Sequence, residues 1–127
     1  MVRRQIRSGS KFEEMAAYSR AVVDGRDIFV SGTTGFDYAT MTIEADVVAQ
    51  CRQTFDNIEA ALAQAGASLE DVVRVTYIVP DPSEFERCWP VLRERLGDVR
   101  PAATMLAARL VDDRIKIEVE VTARRRC

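Results

Sequence analysis

Apolar and polar residues alternate strictly over residues 114–122, and this segment is the clearest strand in the sequence. Its apolar positions are Ile115, Ile117, Val119 and Val121, and its polar positions are Lys116, Glu118, Glu120 and Thr122. A period of two with one apolar face is typical of a half-buried strand. A second strand is predicted over residues 101–108, where alanines fall on both faces. These small side chains either pack beneath a helix or leave room for another backbone, a subunit or a ligand.

Apolar residues at three- and four-residue spacing predict two amphipathic helices. The first starts at Asp46 as N-cap, runs to Ala65 and ends at Gly66; its apolar stripe is Val48, Cys51, Phe55, Ile58, Leu62 and Ala65. The second starts at Asp81, with proline at the first helical position and Glu84 placed for a capping box. It ends at Gly97 and tolerates Pro90 as a kink, and its stripe is Phe85, Cys88, Trp89, Leu92 and Leu96.

Three further segments predict strands. Residues 18–32 read as a β-hairpin with Asp24-Gly25 as its turn, and residues 2–6 as a short edge strand. Over residues 72–79 the pattern places Val73, Val75, Tyr77 and Val79 on one face. The segment 32–35 has neither a P-loop nor a dinucleotide-binding spacing. It is either a bulged turn or a glycine-flanked backbone that a small anion or carbonyl can approach.

The order hairpin, helix, strand, helix, strand, strand predicts an α+β fold: a two-layer sandwich of a mixed β-sheet with two helices on one face. A chain of 127 residues is expected to form a single domain, residues 1–127. The other face of the sheet would mix Arg74, Glu118 and Glu120 with apolar side chains. That mixture is too apolar to stay wet and too charged for a core, so we expect a self-associating ring with ligand pockets between subunits.

The composition excludes several kinds of chemistry. The chain has no histidine, which rules out Ser-His-Asp and Cys-His catalysis and histidine-ligated metals. We expect neither a metal nor a cofactor. A net charge of -2 gives no attraction to nucleic acid or anionic membranes, and no segment reaches the roughly 20 apolar residues of a membrane span. Cys51 and Cys88 fall in apolar helical patterns and predict reduced core thiols in a cytoplasmic protein, and residues 124–127 predict a solvated tail.

Several segments together resemble the Rid family (RidA/YjgF/UK114). They are Tyr18–Val23, Phe29–Gly32, Ala65–Val73, Arg100–Ala102 and Lys116–Glu120, and the match runs in order from about residue 16 to residue 123. The resemblance implies a chorismate-mutase-like α+β fold and a homotrimer that binds a small-molecule ligand at its subunit interfaces. The best-known family activity is hydrolysis of reactive enamines and imines, such as 2-aminoacrylate, to a keto acid and ammonia.

The resemblance also implies roles for individual positions. Glu118 matches the glutamate that handles water or protons, Tyr18 the tyrosine that lines the cleft, and Ser31 and Gly32 the backbone segment. Ala103 stands where the family has an arginine that clamps the substrate carboxylate, and Met105 where deaminating members often have cysteine.

The missing arginine predicts altered or absent activity on imino acids. Each charge-assisted hydrogen bond of such a clamp contributes roughly 1.5–3 kcal/mol. Arg109 lies about 20 Å along the strand from position 103 and Arg100 has the opposite parity, so neither is expected to replace it. Arg20 or Arg52 of a neighbouring subunit stays open as a substitute.

Each candidate also has a purely structural interpretation. Glu118 can pair with Lys116 or Arg74, Tyr18 can anchor an interface, and Trp89 can be a core or subunit contact rather than a ligand contact. Three functions follow: an enamine or imine hydrolase, a non-catalytic small-molecule binding trimer, and an endoribonuclease or translation inhibitor. The last fits worst, because the chain lacks histidine and is acidic.

Overall fold

The computed structural model describes residues 3–126 and contains eight strands, three α-helices and one 3₁₀ helix in that range. The elements, in chain order, are β1 (Arg3–Ile6), α1 (Lys11–Met15), β2 (Ala21–Asp24), β3 (Asp27–Thr34), β4 (Phe36–Asp37), β5 (Thr42–Ile43), α2 (Val47–Gln64), the 3₁₀ helix (Leu69–Asp71), β6 (Val72–Val79), α3 (Pro82–Leu96), β7 (Ala102–Ala107) and β8 (Glu118–Arg124).

Six strands form one sheet in the order β1-β2-β3-β8-β6-β7. All neighbours are antiparallel except β6 and β7, which are parallel and are connected through α3. Helices α2 and α3 pack on one face, and their buried side chains form one core with the inward residues of the sheet. The predicted two-layer α+β sandwich is therefore confirmed. The short helix α1 and the β4–β5 hairpin were not predicted.

The two long helices begin and end close to their predicted positions. Asp46 caps α2 by accepting a hydrogen bond from the backbone N–H of Ala49, and Asp81 caps α3 through Ser83. Glu84 makes no capping box, because its carboxylate lies beside Lys116 and Arg87, each 3.8 Å away.

The predicted apolar stripe of α3 was wrong at one position. Trp89 is 43% exposed, whereas Val91, which the stripe omitted, is completely buried. Val91 lies three residues after Cys88 and so shares the inward side of the helix. Pro90 lies inside α3, which continues to Leu96.

Strand β8 starts later and ends later than predicted. The segment 114–117 precedes the strand, although Ile115 and Ile117 are buried as expected. Val119 and Val121 continue the same inward face. The predicted solvated tail was also wrong in part, since Arg124 belongs to β8 and Arg125 donates a 2.9 Å hydrogen bond to the carbonyl of Gly25. Cys127 lies outside the described residues, as does Val2 of the predicted edge strand.

The faces of β6 and the turn of the hairpin each differ from the prediction by one residue. A register shift between Val72 and Arg74 turns Val72 inward and leaves Val73 51% exposed, the reverse of the predicted arrangement. Asp24 pairs with Asp27, so Gly25 and Arg26 form the turn, and Gly25 has a φ of 65°. Glycine adopts this left-handed conformation without a steric penalty.

Gln50 joins α2 to the segment that leads into β8. Its side chain is completely buried, and its Nε2 donates to the carbonyls of Glu44 at 2.7 Å and Arg114 at 2.9 Å. Its Oε1 accepts from the backbone N–H of Lys116 at 2.8 Å. One amide therefore satisfies three backbone groups and fixes the approach to β8.

We expect Gln50→Ala to lower the free energy of unfolding by about 2–4 kcal/mol, because it leaves these backbone groups without partners away from water. Urea unfolding at fixed protein concentration measures the loss. Gln64→Ala, at an exposed position of the same helix, is the matched control. Equal losses in the two variants would contradict the role assigned to Gln50.

Candidate functional site

A small cleft opens where the start of β8 meets α1 and β3. Its volume is about 130 Å³, and it is lined by Phe12, Ala16, Tyr18, Gly32, Thr34, Tyr38, Val111, Ile115 and Glu118. Because side chains alternate along a strand, Glu118 points away from the face that buries Val119. The cleft thus brings together three predicted site residues, Glu118, Tyr18 and Gly32.

A β-bulge brings Gly32 against the Glu118 carboxylate. The register of β3 and β8 shifts between Val30 and Thr33, which agrees with the bulge interpretation of this segment. A Cβ atom on Gly32 would lie 2.6 Å from Oε2 of Glu118. The Glu118 carboxylate therefore occupies the space that a side chain at position 32 would fill.

The Glu118 carboxyl is held in an environment that disfavours its charge. Burial raises its pKa, the positive charge of Arg20 lowers it to a smaller extent, and Glu120 raises it. Lys116 lies beside Glu84 instead of Glu118, and no salt bridge to Glu118 forms within residues 3–126. The structural interpretation of Glu118 as an ion-pair partner of Lys116 or Arg74 was therefore wrong.

Tyr18 and Ser31 have different positions relative to the cleft. Tyr18 is 37% exposed, its hydroxyl accepts a 3.4 Å hydrogen bond from Nη2 of Arg20, and burial raises its pKa. Ser31 does not line the cleft; its hydroxyl donates to the carbonyl of Ser19 at 2.6 Å and ties β3 to the preceding segment.

The other predicted site residues lie on the opposite side of the sheet. Ala103 pairs with Val75 and Met105 pairs with Tyr77, and both partners face the helices. Paired residues of parallel strands share a face, so Ala103 and Met105 also face the helical side. Trp89 lies on α3 and packs edge-on against Phe85, with ring centroids 6.5 Å apart.

Strand β7, which carries Ala103 and Met105, lies at the edge of the sheet, and all of its residues are exposed. Ala103 borders a separate groove with Leu92 and Leu96 of α3. A single chain therefore does not bring Ala103, Met105 or Trp89 together with Glu118.

The arginines that were considered as possible carboxylate clamps in place of Ala103 contact other groups of their own chain. Arg20 is only 2% exposed and its guanidinium is hydrogen-bonded internally, so it cannot extend into a neighbour. Arg52 pairs with Glu94 at 3.0 Å. Arg100 donates to the carbonyl of Gly97 at 2.8 Å, and Arg109 lies 4.0 Å from Asp113.

Sequence reasoning missed the wall of the cleft that α1 and Tyr38 form. Ser10-Lys11-Phe12-Glu13 has the spacing of a capping box and was the available signal for α1. Ser10 does cap this helix through the N–H of Phe12. Glu13, however, binds Arg20 and Ser8, so its role depends on contacts that the local pattern does not show.

Residues 3–126 contain neither a metal-binding cluster nor a membrane-spanning helix. No three His, Cys, Asp or Glu side chains in this range are grouped so as to hold a metal ion. Cys51 and Cys88 are free and buried. None of the helices in the described range combines the length and hydropathy that a membrane span requires.

Comparison with known proteins assigns the family. A family model described as endoribonuclease L-PSP matches residues 8–125. A RutC family protein of Pyrococcus abyssi is 36% identical over 107 residues, which are 84% of each chain. The 2-iminobutanoate/2-iminopropanoate deaminase of Escherichia coli is 34% identical over 113 residues, which are 86% of this chain and 88% of the relative.

The fold comparison agrees with the family model. The crystal structure of a YjgF/YER057c/UK114 family member from Mycobacterium tuberculosis superimposes with a TM-score of 0.87 at 37% identity. It covers 97% of this chain and 99% of that one. The chain therefore belongs to the Rid (YjgF/UK114) family, as the sequence resemblance indicated.

Two glycine variants should distinguish a change in the cleft from a loss of stability. In Gly32→Ala the new methyl group meets the movable end of Glu118, so we expect the unfolding free energy to change by less than about 1 kcal/mol while the carboxylate is displaced. In Gly35→Ala the Cβ would lie 2.6 Å from the backbone Cα of Gln50, and we expect a loss of about 1–3 kcal/mol. Urea unfolding and crystal structures measure both effects; an unmoved Glu118 in Gly32→Ala would contradict this assignment.

Glu118→Gln is expected to stabilise the protein at neutral pH. The folded-state pKa of Glu118 is raised, so its ionised form destabilises the fold above the ordinary carboxyl pKa, and this penalty disappears as the pH falls below that value. The advantage of the variant should therefore be present at about pH 7 and vanish near about pH 4. Urea midpoints at the two pH values test this, with Glu86→Gln at an exposed site of α3 as control. A stability advantage of Glu118→Gln that increases as the pH falls would contradict this prediction.

Proposed function

We propose that the protein is a homotrimer whose subunit interfaces complete the Glu118 cleft, and that this site hydrolyses a small imine or enamine. The observation that carries the proposal is the half-buried Glu118 carboxyl, which has a raised pKa and lies in a cleft with Gly32 and Tyr18. A raised pKa makes the carboxylate a stronger proton acceptor, which suits it to general acid–base catalysis. The deaminase of Escherichia coli supports the reaction type through its 34% identity.

Self-association is supported by the two-sided distribution of the candidate residues. Ala103 and Met105 lie on the helical side of the exposed edge strand β7, whereas Glu118 lies on the other side of the sheet. Only a second subunit can bring the β7 edge to the Glu118 cleft. The face of the sheet opposite the helices also exposes Phe29 (49%) and Leu106 (50%). These exposed apolar side chains favour burial of that face against another copy of the chain.

The reaction needs only water and a proton-transfer group. Water adds to the imine carbon while the Glu118 carboxylate takes one of its protons. Glu118 passes this proton to the imine nitrogen, which gives a neutral carbinolamine. The remaining hydroxyl proton then moves through the Glu118 carboxylate to the nitrogen as the C–N bond breaks, which releases ammonia and leaves a carbonyl product. An enamine first accepts a proton at carbon, which the protonated form of Glu118 can supply.

The charge of the cleft favours a substrate that differs from a 2-imino acid. Ala103 supplies no positive charge, and Arg20 is enclosed behind the cleft by its own hydrogen bonds. A free carboxylate on the substrate would meet Glu118 without a balancing cation from these positions. A neutral imine or enamine avoids this repulsion.

Ala103 also supports a second candidate function, a trimer that binds a small metabolite without turnover. A cleft that keeps its walls but lacks the clamp can still bind a ligand, and binding would raise the thermal stability of the protein. RNA cleavage, which the description of the family model suggests, is the weakest candidate because the chain has no histidine and a net charge of -2. A highly purified preparation is expected to leave RNA intact.

The deciding assay follows 2-aminoacrylate, generated from serine by a dehydratase, with wild type, Ala103→Arg and the double variant Ala103→Arg/Glu118→Gln. We expect the wild type to add little to the spontaneous rate and Ala103→Arg to increase kcat/KM at least about tenfold, because one restored charge-assisted hydrogen bond is worth roughly that factor. Glu118→Gln in the Ala103→Arg background should abolish the gain. Ammonia release measures all three.

Ala102→Arg, on the opposite face of the same strand, is the matched control and should have no effect. High activity in the wild type would mean that the positive charge comes from elsewhere. Silence of every variant, from folded protein, would contradict the hydrolase and support the binding module. Sedimentation analysis tests the trimer separately.

A further inference from the structure

Arg20 is the largest side chain that the fold buries completely, at 2% exposure. Its Nε lies 3.2 Å from Oε2 of Glu13, and its Nη1 donates to the carbonyl of Gly32 at 2.8 Å and to Oγ1 of Thr33 at 3.1 Å. Its Nη2 lies 3.4 Å from the hydroxyl of Tyr18. One guanidinium therefore contacts four groups on three separate parts of the chain.

These three parts are walls of the Glu118 cleft. Glu13 belongs to α1, which lines the cleft with Phe12; Tyr18 precedes β2; and Gly32 lies in the bulge of β3. The guanidinium carbon also lies 4.6 Å from the ring centroid of Tyr38, another lining residue. The planar fork of an arginine can hold several acceptors in fixed directions, which a lysine cannot do.

Stability alone does not account for this buried pair. Removing two charges from water costs about as much as their attraction returns, and apolar side chains of similar size often stabilise a core equally well. What apolar residues could not provide is a set of directed hydrogen bonds between the cleft walls.

We propose that Arg20 is a positioning residue of the Glu118 cleft, where it holds the Tyr18 hydroxyl and the Gly32 backbone in the arrangement that Glu118 requires. The proposal rests on the proposed function for the role of Glu118. Two charged groups affect the Glu118 carboxyl, Arg20 and Glu120, and Arg20 opposes the effect of burial on its pKa. The same guanidinium thus affects both the geometry of the site and the pKa of its carboxyl group.

The test uses three variants of the full chain. Glu13→Gln/Arg20→Met removes both buried charges, so that no unpaired charge remains to prevent folding, and keeps an acceptor for Ser8. Arg20→Lys keeps the charge but loses the fork. Arg95→Met is the matched control, because Arg95 is also a mostly buried arginine with two carboxylate partners, Asp56 and Glu59. It joins α2 to α3, and neither it nor its partners line the cleft.

Three readouts are taken from protein whose folding is verified by circular dichroism. NMR titration of glutamate labelled at the side-chain carboxyl should show the Glu118 pKa higher in the double variant, unchanged in Arg95→Met and near the wild-type value in Arg20→Lys. Crystal structures should show Tyr18 and Gly32 displaced in both Arg20 variants. In the Ala103→Arg background, kcat for 2-aminoacrylate should fall on the order of 10–100-fold in the Arg20 variants, with a smaller change in KM.

An unchanged Glu118 titration together with unmoved Tyr18 and Gly32 in the double variant would overturn the proposal and leave Arg20 a structural residue. The titration and the crystal structures need no turnover. A failure of the proposed hydrolase function would therefore show as silence of the parent protein in the assay, while these two readouts still decide the role of Arg20.

Discussion

Strand β8 is paired on both edges, with β3 on one side and β6 on the other, and the position of the candidate site depends on this constraint. Its register is set by the burial of Val119 and Val121 beneath the helices. Because side chains alternate, the same register turns Glu118 to the other face. A slip of one residue would bury the carboxylate and expose the valines, so the core that stabilises the sheet also positions the acid.

Two buried polar side chains connect this sheet to its surroundings. Gln50 satisfies three backbone groups around the entry to β8, and Arg20 joins α1, Tyr18 and the bulge of β3. In both cases one side chain provides hydrogen bonds to groups that are buried from water. Through these hydrogen bonds, irregular segments beside the sheet are tied to α2 and to β3.

The cleft and the edge strand belong to one functional site only if subunits associate. Glu118 and Ala103, the position at which the family resemblance implies an arginine, lie on opposite sides of the sheet, and β7 has a paired neighbour on one edge alone. Exposed edge strands favour pairing or covering by another chain. In the assembly that we propose, position 103 of one subunit and Glu118 of another would contact the same ligand.

The sequence by itself determined the elements whose patterns are local. The stripe and caps of α2, the inward face of β8 and the α+β class follow from periodicity and from residues within one or two turns of each other. Glu118, Tyr18 and Gly32, which the family resemblance singled out, line one cleft in the folded chain. Only the tertiary structure decided the burial of Arg20 with Glu13, the exposure of Trp89 and the bulges near Gly32 and Val73. These features depend on partners brought together by folding, and a register shift of one residue leaves no mark in a local pattern of apolar and polar positions.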